Sequence, residues 1–322
     1  MSNLARQLRQ RVESCELQHL QFAQLHALLK RLIDDTLNGF VPRIAWLVGP
    51  SRVGKTMLGK ALARLFPGTR ENGRRVVPVL RVPLPPGVSP KLLPLSVLEA
   101  LGVPLPQRGL ASGVMLTRMY EQLRLAGTRV LIFEEASHLV EPGSKVPPRA
   151  AADWFKAVHD ELNITLILLG VPRLRRLFEA NEQLRLRASA CREFRPYRWK
   201  DDEERRAFAT CVLTYARMFD EAGWPLDMSR EQLISHCYLL SGGLIGIVAA
   251  FMQELAAMTE DIPSGPLSLT HCQQAALAIE TAGHPNHPAF VTEHITPIEF
   301  DQAHGSVLEL NEMGARRVAS KE

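Results

Sequence analysis

The chain has 322 residues and a mass of 35.9 kDa, with 46% hydrophobic and 22% charged side chains, a composition that excludes wholesale disorder, collagen-like sequence and a coiled-coil rod. The length allows two domains, or one large domain with additions. Net charge is only +4, from 38 basic and 34 acidic residues, so charge alone names no partner. Eight Lys stand against thirty Arg, a bias that a GC-rich genome accounts for as well as any binding role. Distribution says more: from Arg173 to Lys200 nine basic residues meet three acidic ones, a local charge of +6. The remainder is slightly acidic.

The longest apolar runs, such as the LILLGV ending at Val171, are far short of the roughly 20 residues that cross a bilayer. The N-terminus lacks the apolar stretch and cleavage site of a signal peptide, so a cytoplasmic protein away from membranes is expected. Cys15, Cys191, Cys211, Cys237 and Cys272 are scattered without a C-x-x-C, which fits reduced thiols better than a disulfide framework or a zinc site.

In chain order, Leu17, Leu20, Phe22, Leu25, Leu28, Leu29, Leu32 and Ile33 recur at helical intervals, and Asn38-Gly39 ends the helix. Residues 1–42 therefore read as an N-terminal helical extension. IAWLV (44–48) is a short strand delivered into a glycine-bearing loop. VVPVLRV (76–82) is a second strand, and its Pro78 demands an edge or an interruption. After the Pro-rich PLPPGVSPKLLPL and a helical pattern to Ala126, RVLIF ends at Glu134 and ITLILLG at Gly170. Strands alternating with helices predict a parallel sheet covered on both faces, hence an α/β core over residues 43–200. From Asp201 the pattern turns helical without a convincing strand, so 201–282 reads as a second, helical domain. Residues 283–322 hold HPNHP and a charged end and read as a weakly ordered tail.

One motif decides the class. Gly49-Pro50-Ser51-Arg52-Val53-Gly54-Lys55-Thr56 fits G-x-x-x-x-G-K-[ST], placed after a strand and before the helical MLGKALARLF. Phosphates need several N–H donors converging on one point, and the loop and helix N-terminus through Met57 supply them. Lys55 is expected to reach the β- and γ-phosphates of ATP, and the Thr56 hydroxyl to ligate Mg²⁺. At the C-terminal end of VLIFEE, where open α/β sheets bind ligands, stand Glu134 and Glu135. The usual pair is Asp-Glu, so Glu134 occupies the Asp position with an extra methylene to be accommodated; it is expected to hold Mg²⁺ through a water. Glu135 is expected to orient and deprotonate the attacking water. A nucleotide hydrolysed at a subunit interface commonly takes an arginine from the neighbour; NEQLRLRASACREFRP offers Arg185, Arg187 and Arg192, with Arg187 the first choice and Arg185 the second.

GPSRVGKT, PLPPGVSPKLLPLSVLEALG, VLIFEEASHLV, ILLGVPRL, NEQLRLR and SGGLIGIVAAFMQEL, in that order over about residues 30–280, together resemble the TniB/TnsC-type AAA+ ATPases of transposons, similar in role to the phage transposition ATPase MuB. The resemblance implies a three-layer P-loop (AAA+) α/β core with a parallel sheet plus a C-terminal helical lid. It also implies an ATP-dependent homo-oligomer, ring or filament, that coats double-stranded target DNA, receives a TniQ-like target-selection protein and recruits and activates the transposase. The family's phosphate loop maps onto Gly49 to Thr56, its acidic pair onto Glu134 and Glu135, and its arginine-finger region onto Arg185 to Arg187. Two departures stand out. The strand that often ends in a polar sensor ends here in Leu169-Gly170-Val171, and the helix after Ser241-Gly242-Gly243 begins LIGIV without an arginine. Both fit slow, switch-like hydrolysis.

The resemblance places DNA contacts between the two nucleotide motifs, where Lys91, Arg108 and Arg118 are the candidates for sequence-independent phosphate binding. His284 and His287 lack a carboxylate or Cys partner and point to no metal; the tail around them is a candidate docking segment for a transposase subunit. Trp46 reads as core, and Tyr197 and Trp199 as packing residues. A phosphoryl-transferring kinase and a different AAA+ or STAND-type switch are the competing readings of the same motifs.

Overall fold

Five stretches of the chain pair into one sheet in the computed structural model, which describes residues 3–89, 91–104, 112–141, 147–279, 287–292 and 295–311. The helices are α1 (Asn3–Glu13), α2 (Leu20–Leu37), α3 (Lys55–Leu65), α4 (Leu93–Leu101), α5 (Ser112–Leu125), α6 (Pro148–Leu162), α7 (Arg175–Glu179), α8 (Glu182–Arg187), α9 (Asp202–Ala222), α10 (Arg230–Ser241), α11 (Ile245–Met258), α12 (Leu269–Ala278) and α13 (Pro297–Leu310). The strands are β1 (Ile44–Val48), β2 (Thr69–Glu71), β3 (Arg74–Val76), β4 (Val79–Pro83), β5 (Val130–Glu134), β6 (Thr165–Gly170) and β7 (Arg192–Glu193). They form two compact units: Gln24–Gly49 with Lys55–Phe194, and Met1–Ala23 with Pro50–Gly54 and Arg195–Glu322.

The first unit is α/β. Its sheet runs β4-β5-β6-β1-β7 and every pairing is parallel, so strand β6 stands between the strand that feeds the glycine loop and the strand that ends in the two glutamates. Strands β5 and β6 are buried along their whole length, as expected for strands covered on both faces. Pro78, lacking an N–H, separates the antiparallel hairpin β2–β3 from β4, and β4 is the sheet edge, where a broken strand costs least. The core joins sheet residues such as Leu131, Phe133, Leu166 and Leu168 to Leu98, Met119, Ala152 and Phe155 from the helices. Trp46 is partly buried, stacked on Phe178 with ring centroids 4.0 Å apart.

The second unit is helical, around Tyr197, Phe208, Tyr215, Trp224, Phe251 and Met252. Two expectations are corrected. The N-terminal extension is not one body: α1 carries a stripe of Ala5, Leu8 and Val12, all buried, that packs on α9 and α11 within the helical unit, because an amphipathic helix must cover its apolar face. The segment after 282 is not merely a weakly ordered tail: α13 is a capped helix that packs on α10. Thr296 and Glu299 close a capping box, Pro297 occupies the first turn, and Phe300, Ala303 and Val307 are buried; caps of this kind are each worth about 1 kcal/mol. His284 lies outside the described residues.

Among the described residues no single helix is long and apolar enough to cross a membrane. Helices α10 and α11 together are apolar enough, but they meet at 114° and their apolar side chains build the helical core.

Candidate nucleotide site

Strand β1 ends at Val48, and the next N–H, that of Gly49, bonds to the Gly170 carbonyl at the end of β6 at 3.1 Å. The chain then passes through residues 50–54 and re-forms as α3 at Lys55. Gly54 has φ 113° and Arg52 φ 62°; the first is open to glycine, and the second is a left-handed arginine that its surroundings must hold. Pro50–Gly54 belong to the helical unit, and the bonds within that unit show how the loop is held. The Gly246 N–H, in the first turn of α11, donates to the Arg52 carbonyl at 3.0 Å. The Ser51 N–H donates to Asn311 Oδ1, just past α13, at 3.3 Å.

In the α/β unit Lys55 is 5% exposed. Its Nζ donates to the Gly49 carbonyl at 3.0 Å, and burial pushes its pKa down to about 8 against the attraction of Glu135. Glu134 is buried, 4% exposed, and Arg81 of β4 donates from Nη1 to its Oε2 at 2.7 Å. Burial raises the Glu134 pKa, opposed chiefly by Arg81. Its other oxygen, Oε1, has no hydrogen-bond partner. Glu135 follows at φ 53°, ψ 36° and opens a 3-10 turn over Ala136–Val140, its carbonyl accepting from the His138 N–H at 2.9 Å. A left-handed non-glycine residue costs about 1–2 kcal/mol, the kind of strain that gathers at functional positions.

At the end of β6, a side chain on Gly170 would lie 3.1 Å from the Ser137 nitrogen, so the strand approaches the 3-10 turn too closely to present a polar sensor there. The Ser137 hydroxyl instead accepts from the Val171 N–H at 3.3 Å.

The two finger candidates differ. Arg187 is engaged within its own chain: Nε donates to Asp160 at 2.9 Å and Nη1 to the Gln183 carbonyl at 3.1 Å. Arg185 is 62% exposed and only loosely paired with Glu182 at 3.8 Å, next to Leu186, itself 75% exposed. A guanidinium already bonded twice must break those bonds to reach a neighbour. Arg192 sits on β7, exposed. Of the DNA candidates, Lys91 is exposed in the turn before α4, Arg118 is half-buried on α5 and donates to the Pro104 carbonyl at 3.1 Å, and Arg108 lies outside the described residues.

Sequence reasoning missed Arg81, Gly59, Gly246 and Asn311. Two of them had a visible signal: an arginine inside an otherwise apolar edge strand, and a glycine in mid-helix, which costs about 1 kcal/mol unless something requires it.

The chain is similar in fold to several proteins of known structure. The ORC2 protein of Aeropyrum pernix, solved as ADPNP–ADP complexes, matches with a TM-score of 0.60 at 16% identity, covering 86% of this chain and 73% of that one. Cdc6p of Pyrobaculum aerophilum gives a TM-score of 0.60 at 15% identity over 89% and 79%. The Aeropyrum pernix ORC1 protein, solved in complex with DNA, gives 0.55 at 16% identity over 94% and 87%. No curated protein matches the chain. A parallel sheet with this strand order, a glycine loop closed by Lys-Thr and a paired-glutamate strand end make up an AAA+ P-loop fold. Residues 12–200 match the family described as Bacterial TniB protein, and the chain belongs to that family.

Proposed function

We propose that this protein is an ATP-dependent, DNA-binding AAA+ regulator of transposition, assembling as a homo-oligomer on target DNA and linking a TniQ-like target-selection protein to the transposase. Membership of the TniB family carries this reading, and the glycine loop that runs into the buried Lys55 supports its nucleotide-dependent half. The backbone N–H groups of residues 53–57 and Lys55 would hold the ATP phosphates, with the Thr56 hydroxyl and Glu134 toward Mg²⁺. The residues fit that ion: the buried Oε1 of Glu134 lacks a donor, a costly state for a charged acceptor, and a metal-bound water is such a donor. Held by these residues, the ion would supply positive charge against the phosphates.

Glu135, beside Lys55 and not tied to Arg81, would orient the attacking water and accept its proton. Arg185 of a neighbouring protomer would meet the charge developing on the γ-phosphate. Lys91, Arg108 and Arg118 would contact DNA phosphates, which predicts sequence-tolerant, salt-sensitive binding. The absence of a polar side chain at Gly170, and of an arginine in LIGIV, favours slow turnover suited to a switch.

The test is duplex-DNA binding with ATP, ADP, a non-hydrolysable ATP analogue or no nucleotide, at two salt concentrations, alongside Lys55→Ala. Assembly on DNA that needs ATP or its analogue, weakens with salt and vanishes in Lys55→Ala supports the reading. Nucleotide binding without any DNA response in any condition rejects DNA loading and leaves a switch of another kind.

A further inference from the structure

Glu134 stands where the shorter aspartate is usual, and its extra methylene must go somewhere. It goes over Gly59. A methyl group at that position would overlap Glu134 Oε1 and lie 3.3 Å from Cδ and 3.4 Å from Leu169 Cδ1. Gly59 is buried in α3, one turn after Thr56, in a helix interior where alanine is favoured over glycine by about 1 kcal/mol. The glycine is therefore explained by the carboxylate beside it rather than by the helix.

The other oxygen is fixed from the neighbouring strand. The β4–β5 register pairs Arg81 with Ile132 and Pro83 with Glu134, so Arg81 and Glu134 lie on one face of the sheet, one pair apart. Because β4 is the edge strand, Arg81 can place its guanidinium on Oε2 at 2.7 Å while staying 30% exposed. With Arg81 on Oε2 and Gly59 beneath Oε1, a single oxygen is left unbonded.

We propose that Gly59, Arg81 and Glu134 form one size-matched unit in which Arg81 is a positioning residue: its hydrogen bond holds Oε2 and turns Glu134 so that Oε1 alone serves the nucleotide-bound Mg²⁺. This rests on the nucleotide-site reading above. Removing Arg81 then weakens the contribution of Mg²⁺ to nucleotide affinity, although Arg81 itself touches neither nucleotide nor metal. Outer partners of this sort typically govern about 10- to 100-fold in metal affinity.

The test has two readouts. The first is the ratio of ATP affinities in EDTA and in Mg²⁺, by titration calorimetry, for wild type, Arg81→Met, Arg81→Lys, Gly59→Ala, Glu134→Asp and the double variant Gly59→Ala/Glu134→Asp. The wild-type gain from Mg²⁺ should fall about tenfold in Arg81→Met and in Gly59→Ala, with affinity in EDTA held. It should be partly restored by Arg81→Lys, and restored by adding Glu134→Asp to Gly59→Ala, because the shorter acid withdraws from the methyl. The second readout is thermal unfolding without nucleotide, in which Gly59→Ala lowers the unfolding temperature by a few degrees and Glu134→Asp recovers it. Absence of rescue in both readouts overturns the matched unit, and an unchanged Mg²⁺ gain in Arg81→Met overturns the role of Arg81. Failure of the wild type to bind ATP would reject the nucleotide-site reading, and with it the role of Arg81 toward Mg²⁺; the unfolding cycle would still decide the Gly59–Glu134 match.

Discussion

The backbone N–H of Gly246 bonds directly to the carbonyl of Arg52 at 3.0 Å, so the first turn of α11 satisfies the strained, left-handed residue of the glycine loop. Any side chain at 246 would overlap the Arg52 carbonyl, which is why the SGGLIG segment needs its third glycine. Gly246→Ala should push the two backbones apart, destabilise the protein by about 1–3 kcal/mol as overpacking does, and weaken nucleotide binding at least as much as it weakens the fold. Thermal unfolding with and without an ATP analogue checks this; a variant as stable and as responsive to the analogue as wild type would contradict it.

Arg185 and Arg187 should separate cleanly. Arg185→Ala should leave unfolding temperature and nucleotide affinity unchanged while lowering protein-concentration-dependent ATP hydrolysis by about 10³-fold, as for arginines supplied in trans. Arg187→Ala should cost at most about 1 kcal/mol, the usual worth of an exposed ion pair, and leave most hydrolysis intact. Turnover measured against protein concentration distinguishes the two.

His19 predicts an acid limit. Its Nδ1 is 2.7 Å from the Tyr197 hydroxyl, and burial pushes its pKa down from 6.5 to about 4. The unfolded chain therefore binds a proton that the folded one refuses, so the stability His19 contributes is full above pH 6.5 and is lost as pH falls toward 4. The shift corresponds to about 3 kcal/mol. Unfolding temperature should drop over that window, and His19→Gln should flatten the drop; an equally steep fall in the variant would exclude His19 as its source.

The cap of α13 should matter more than its position near the chain end suggests. Thr296→Ala should cost about 1 kcal/mol, and Phe300→Ala, which empties a buried ring position against Trp199 at 4.2 Å, about 3–5 kcal/mol. Chemical denaturation of the two variants measures both.

Strands were the legible part of this chain. Ile44–Val48 forms as its apolar run predicts, and RVLIF and ITLILLG become β5 and β6 to within a residue or two, because a strand buried on both faces must be apolar throughout. Pro78 marked the break before the edge strand for the same physical reason that it cannot donate to a ladder. Strand β7 is two residues long and carries no pattern; it exists because β1 offers it an edge. Helix α13 has a mixed composition that hides its period, although Thr296-Pro297-Ile298-Glu299 spells a helix start. The glycine loop and both glutamates stand out in the sequence, whereas Gly246 and Asn311 do not, since each reaches its partner in that loop from far along the chain and only the fold brings them there.

Asn311 has a practical consequence for anyone dissecting the protein. Its side chain reaches back to the Ser51 N–H from the end of a helix that looks dispensable on paper. A shortened protein lacking α13 would strip a partner from the nucleotide loop and uncover the α10 surface at once. Loss of a partner protein from such a truncation would then report damage to the glycine loop as readily as loss of a docking site, so deletions aimed at recruitment should begin after residue 311.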